Sequence, residues 1–86
     1  MIKNIRVLVV CENKKQTEKF YKHIENSLTD ETVYVDTCYY HESEKAVIIE
    51  EKTDSKNALS EAVETITNHA KEAGVSIKHF AFESGW

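Results

Sequence analysis

The feature that most narrows the folding options is the short gap between two strand-like runs in the middle of the chain. Residues 32–40, Thr-Val-Tyr-Val-Asp-Thr-Cys-Tyr-Tyr, alternate Val33, Val35, Thr37 and Tyr39 with Tyr34, Asp36, Cys38 and Tyr40. That is the period of a half-buried strand. A second run, Lys45-Ala-Val-Ile-Ile-Glu50, follows after only the polar residues His41-Glu-Ser-Glu44. A parallel connection needs roughly a dozen or more residues for its crossover, so these two runs pair as an antiparallel hairpin.

The flanking segments read as two further strands and two helices. Residues 5–11, Ile-Arg-Val-Leu-Val-Val-Cys, are apolar and β-branched on both parities, as in a central strand. Asn13, with Gln16 three residues later, predicts an Asx version of the capping box at the start of a helix. Along that helix Thr17, Phe20, Tyr21, Ile24 and Leu28 recur at three- and four-residue spacing. After Asp54 or Ser55 as the N-cap, Leu59, Ala62, Val63, Ile66, Ala70 and Ala73 predict the core side of a second helix, ending at Gly74. Val75 to Glu83 supplies the last strand. Val75 and Ile77 have opposite parity to Phe80 and Phe82, so a bulge is expected near Lys78 or His79.

The resulting β-α-β-β-α-β order, in 86 residues, predicts one α+β domain over residues 1–86 of ferredoxin-like type. Right-handed crossovers place the strands in the order 4-1-3-2, an antiparallel sheet with both helices on one face. A doubly wound flavodoxin-like sheet is set aside because the hairpin leaves no room for its helix. Fifteen acidic against eleven basic residues give a net charge of -4, and no apolar run approaches the ~18 residues of a membrane span. No secretory leader is read at the N-terminus, and two cysteines do not make a disulfide scaffold. A cytoplasmic domain without membrane attachment is expected.

The side of the sheet without helices is where function is expected. Strand parity assigns it Arg6, Leu8, Tyr34, Asp36, Tyr40, Ile48, Phe80 and Phe82, an aromatic and apolar surface with a charged rim. Trp86, the last residue, joins this set as an anchor that inserts into a partner, or else docks back on its own domain. The face of His79 is left open by the expected bulge.

Signatures of chemistry are sparse. Cys38 and His41 stand at metal-ligand spacing, but no second pair follows, and Cys11 has the opposite parity to Cys38, so no metal and no cofactor are expected. His23 and His69 read as surface or boundary histidines on the two helices. Asp36 with Tyr34 or Tyr40 is an acid and phenol pair of the kind that serves acid-base chemistry, although no catalytic signature accompanies it. RNA-binding domains of this topology carry aromatic rings on the two central strands, where this chain has Leu8, Val10 and Ile48, and the chain is acidic; nucleic acid is not expected.

The expected function is therefore protein binding by a small non-catalytic module, an inhibitor or regulator of the type phages encode, acting as a homodimer or on a heterologous protein. The alternative is a dimeric α/β barrel that binds or transforms a small apolar molecule between its two sheets.

Overall fold

Valine and isoleucine at every second position suit β1 (Lys3–Cys11) to the sheet interior, where it is paired on both edges. The computed structural model describes residues 3–29, 31–40 and 44–84; the side chains of Lys3, Tyr40, Glu83 and Ser84 lie outside that description. Following β1 come α1 (Lys14–Ser27), β2 (Val33–Tyr40), β3 (Glu44–Thr53), α2 (Ala58–Ala73) and β4 (Ile77–Ser84). All pairings are antiparallel, in the order β2-β3-β1-β4, which is the expected 4-1-3-2 read from the other edge.

Both helices lie on one face, because the buried residues of each join a single cluster with Val7, Val9, Cys11, Val47 and Ile49. Phe20 and Ile24 of α1 are wholly inaccessible, and Thr17 is buried beside them. Thr17 is tolerated there because its hydroxyl donates to the Asn13 carbonyl and accepts the Cys11 amide, leaving no orphan polar atom. Asn13 caps α1 as the sequence implies, its Oδ1 accepting the Gln16 amide at 2.9 Å. The Gln16 side chain has a different task from the one a capping box assigns it. Its Oε1 accepts the Ser76 amide at 3.0 Å, and the Glu12 amide donates to the Ser76 carbonyl, so the start of α1 is tied to the entry of β4.

α2 departs from its expected start and stripe. It begins at Ala58, and Ser55 acts ahead of the helix, where its hydroxyl accepts the Asn57 amide and donates to Glu61. The buried residues are Ala58, Ile66, Ala70 and Ala73, whereas Leu59 and Val63 are exposed. The contact follows the four-residue row 58-62-66-70, and each four-residue step turns about 40° around the helix axis. At the N-terminal end the contact line has therefore rotated past Leu59 and Val63. Gly74 ends α2 in the left-handed region at φ 70°, as its position implied.

Strand β4 carries the main correction. Val10 pairs with His79 but Cys11 with Ile77, so Lys78 is an extra residue in β4 and forms the expected bulge. The bulge returns both halves of the strand to one face: Ile77 lies opposite Cys11, Phe80 opposite Val9 and Phe82 opposite Val7. Phe80 and Phe82 thus belong to the helix-covered side and not to the open face, and Phe80 packs against the core. The two rings stack at 5.7 Å.

Candidate functional site

Cross-strand register orders the open face into rows. Tyr34, Glu50 and Arg6 form a polar row, and Asp36, Ile48, Leu8 and Ala81 form a second with three apolar members. Beyond these, Cys38 faces Ala46 on one side and Val10 faces His79 on the other. Of the expected residues, the structure brings together Arg6, Leu8, Tyr34, Asp36 and Ile48. The Tyr40 side chain and Trp86 lie outside the described residues, as does His41. His79, whose face was open, falls on this side and is exposed.

Arg6, Glu50 and Asp36 on this face are each engaged within the chain. Arg6 Nε donates to Glu50 Oε1 at 2.8 Å, both side chains being about one-third exposed. The Tyr34 hydroxyl donates to Asp36 Oδ2 at 2.7 Å, and the Thr37 amide donates to Asp36 Oδ1 at 2.8 Å. The tyrosine hydrogen bond, with the amide behind it, holds the Asp36 carboxyl below the ordinary range, while the same bond and the nearby negative charge push the Tyr34 phenol up. Both shifts move away from neutrality, the reverse of what proton transfer near pH 7 needs. The pair stiffens the edge of the face and is a poor acid-base couple.

The thiols sit on opposite faces, as parity required. Cys11 is buried under α1, Cys38 is half-buried on the open side, and desolvation pushes both upward. Neither is poised as a nucleophile.

An apolar cleft of about 160 Å³ opens on the other side of the sheet, between the strands and α2, beside the C-cap of α1. Ile5, Val7, Leu28, Val33, Ile49 and Ile66 line it, with Glu51 and Glu61 among its polar margin. Phe80 and Phe82, on the helix side, cannot line a chamber on the open face.

Sequence reasoning missed one cluster altogether. His23 of α1 meets His69 and Glu72 of α2. The available signal was His69-Ala-Lys-Glu72, a pair at i and i+3 on one helix face. No local pattern discloses that His23 lies opposite.

No protein-family model matches the sequence, and comparison with curated proteins finds no match. Solved structures do match in shape. A de novo designed protein, Foldit4, superposes with TM-score 0.65 at 14% identity, covering 100% of this chain and 98% of that one. A dimeric ferredoxin-like protein from an uncultured marine organism gives TM-score 0.57 at 10% identity, over 98% of this chain and 85% of that one. The fold is ferredoxin-like. A putative antibiotic biosynthesis monooxygenase from Chloroflexus aurantiacus J-10-fl also matches, with TM-score 0.57 at 6% identity over 100% of this chain and 94% of that one. At such identities the likeness carries the architecture and nothing of the chemistry. Among the described residues no helix is long and apolar enough to cross a membrane.

Proposed function

We propose that this chain is a non-catalytic protein-binding module whose helix-free sheet face is the contact surface, and that the first occupant of that face is a second copy of the chain. The observation that carries this reading is the central apolar row of Ile48, Leu8 and Ala81, which no helix covers. Arg6 and Glu50 beside it form an ion pair within the chain, and the Asp36 carboxylate keeps hydrogen bonds from Tyr34 and Thr37, so covering the row buries partnered groups in place of bare ions, the less costly case. A small domain buries little surface on its own, and two-fold pairing is the commonest way to bury more. The dimeric marine protein of the same fold supports the reading. Regulation or inhibition of a larger protein follows if the dimer, or the face released from it, covers a basic partner, for which the acidic balance of the chain is suited.

Light scattering at micromolar concentration tests the pairing, with a two-chain mass expected. A single-chain mass across the accessible range removes the self-association and assigns the face to a heterologous protein.

A small apolar ligand is the second reading, favoured by the cleft between the sheet and α2. Its test is fluorescence displacement of an apolar dye, with Ile66→Trp filling the cleft; a dye signal unchanged by that substitution removes the cleft as the site.

A further inference from the structure

The inner edges of the two helices bring three ligand-type atoms to one point. His23 Nε2 lies 3.2 Å from His69 Nδ1 and 3.4 Å from Glu72 Oε2, and His69 Nδ1 lies 3.6 Å from the same oxygen. Nitrogen and oxygen ligands bound tetrahedrally at roughly 2.0 to 2.1 Å stand about 3.3 to 3.4 Å from one another. The triangle formed by these atoms therefore has the dimensions of one face of a zinc-type coordination tetrahedron.

Hydrogen bonding alone accounts poorly for this arrangement. A charge-assisted N–H···O bond is about 2.7 to 2.9 Å long, so the carboxylate is tightly bonded to neither ring. A carboxylate only accepts, and each neutral imidazole has one protonated nitrogen. When one ring donates to the other, the accepting nitrogen and the carboxylate oxygen are left facing each other as lone pairs. A cation at the centre satisfies all three atoms at once.

The surroundings suit a bound ion. The rings are held edge to face, with centroids 5.3 Å apart, by the packing of two regular helices. Their side chains are 26% and 17% exposed, whereas Glu72 is 62% exposed, so the cluster opens to solvent on the carboxylate side. His69 and Glu72 lie in the last turns of α2, and His23 lies in the last turns of α1, so all three ligands stand on regular structure.

We propose that His23, His69 and Glu72 form a three-ligand site for a divalent transition metal of the zinc class, which clamps α1 to α2 and leaves its fourth position to water. Two imidazoles and one carboxylate are a borderline donor set, and tetrahedral closure selects zinc from the metals such a set accepts. The site lies on the helix side of the protein and is independent of pairing through the sheet.

The test is titration of metal-free protein with zinc ion against a chromophoric chelator, with cobalt(II) substitution to report coordination number by its visible bands. One equivalent of zinc is expected per chain, with four-coordinate cobalt bands and a melting temperature raised by zinc. Loss of an outer partner alone typically weakens a metal site about 10- to 100-fold, so His69→Ala and Glu72→Ala should each weaken zinc binding at least tenfold. Glu72→Ala, at an exposed helical position, keeps the test decisive if His69→Ala fails to fold. Cys38→Ser should leave the affinity unchanged. Absence of zinc uptake, full affinity in Glu72→Ala, or loss of the metal in Cys38→Ser would each overturn the assignment.

Discussion

The two faces of the sheet come from the same four strands, and comparing adjacent rows shows how differently they are used. On the covered side Thr37, Val47, Val9 and Phe80 run across the sheet beneath the helices, and Val47 and Val9 have no accessible surface. One residue along each strand, Asp36, Ile48, Leu8 and Ala81 run across the open side, where Ile48 and Leu8 are only half-buried. Both rows have β-branched or aliphatic side chains at their centre, so residue type does not separate them. What separates them is cover: one row is finished within the chain, and the other is available to a second molecule. An apolar strand on both parities marks a strand buried on both sides, and here the chain covers one side fully and on the other buries Val10 and Ala46 while leaving Leu8 and Ile48 half-exposed.

The strongest way to break that comparison is to remove bulk from the covered face. Phe20→Ala should cost about 3 to 5 kcal/mol, since Phe20 is 0% exposed and its removal opens a cavity. Urea denaturation checks this, and a loss below about 1 kcal/mol would mean that the covered face is not a packed core.

The matching change on the open face should affect assembly and spare the fold. Ile48→Glu places a charge in the middle of the central apolar row, so a native far-ultraviolet spectrum with a single-chain mass is the expected result. Loss of secondary structure would show that the two faces contribute alike to folding.

A smaller effect belongs to the boundary of the covered layer. Asn13→Ala removes the acceptor of the Gln16 amide and should lower stability by about 0.5 to 2 kcal/mol. An unchanged melting temperature would relocate the start of α1.

The smallest expected effect sharpens the electrostatics of the open edge. Asp36→Asn removes the carboxylate that holds the Tyr34 phenol high, so Tyr34 should titrate at lower pH, nearer an ordinary tyrosine; a selectively labelled ring followed by NMR would show it. In the wild type Asp36 has its folded pKa depressed, so its contribution to stability is present above the unfolded carboxylate pKa and fades as pH falls through the lower folded value. Asp36 is exposed, so that contribution is small, and an acid-side shift in the melting temperature larger than that of Asn13→Ala would contradict this account.

Much of this was legible in the residues, for reasons that are local. Helix and strand periods, the Asn13 cap, the Gly74 stop and the short link after Tyr40 depend on neighbours within a few positions, and a hairpin too short for a crossover leaves few topologies to choose from. Parity alone placed Arg6, Leu8, Tyr34, Asp36 and Ile48 on one face and divided Cys11 from Cys38. Even the bulge in β4 was marked by the clash between Ile77 and Phe80.

Which way that bulge turned the strand was decided by the partner strand. Two-residue alternation says that two sets of side chains differ in face but not which set is covered; pairing of Phe80 with Val9 and Phe82 with Val7 settled it on the helix side. The same holds for α2, where the contact row turned away from Leu59 and Val63 because the helix meets its neighbours along a four-residue ridge. It holds most of all for His23, His69 and Glu72. Forty-six residues separate the two histidines in sequence, and no local period relates them. The sequence by itself determined the elements, their order and the sidedness of β1, β2 and β3, because those follow from short-range geometry. Only the tertiary structure decided which surfaces meet, because strand register and the sliding of one helix along another are set by packing between residues far apart in the chain.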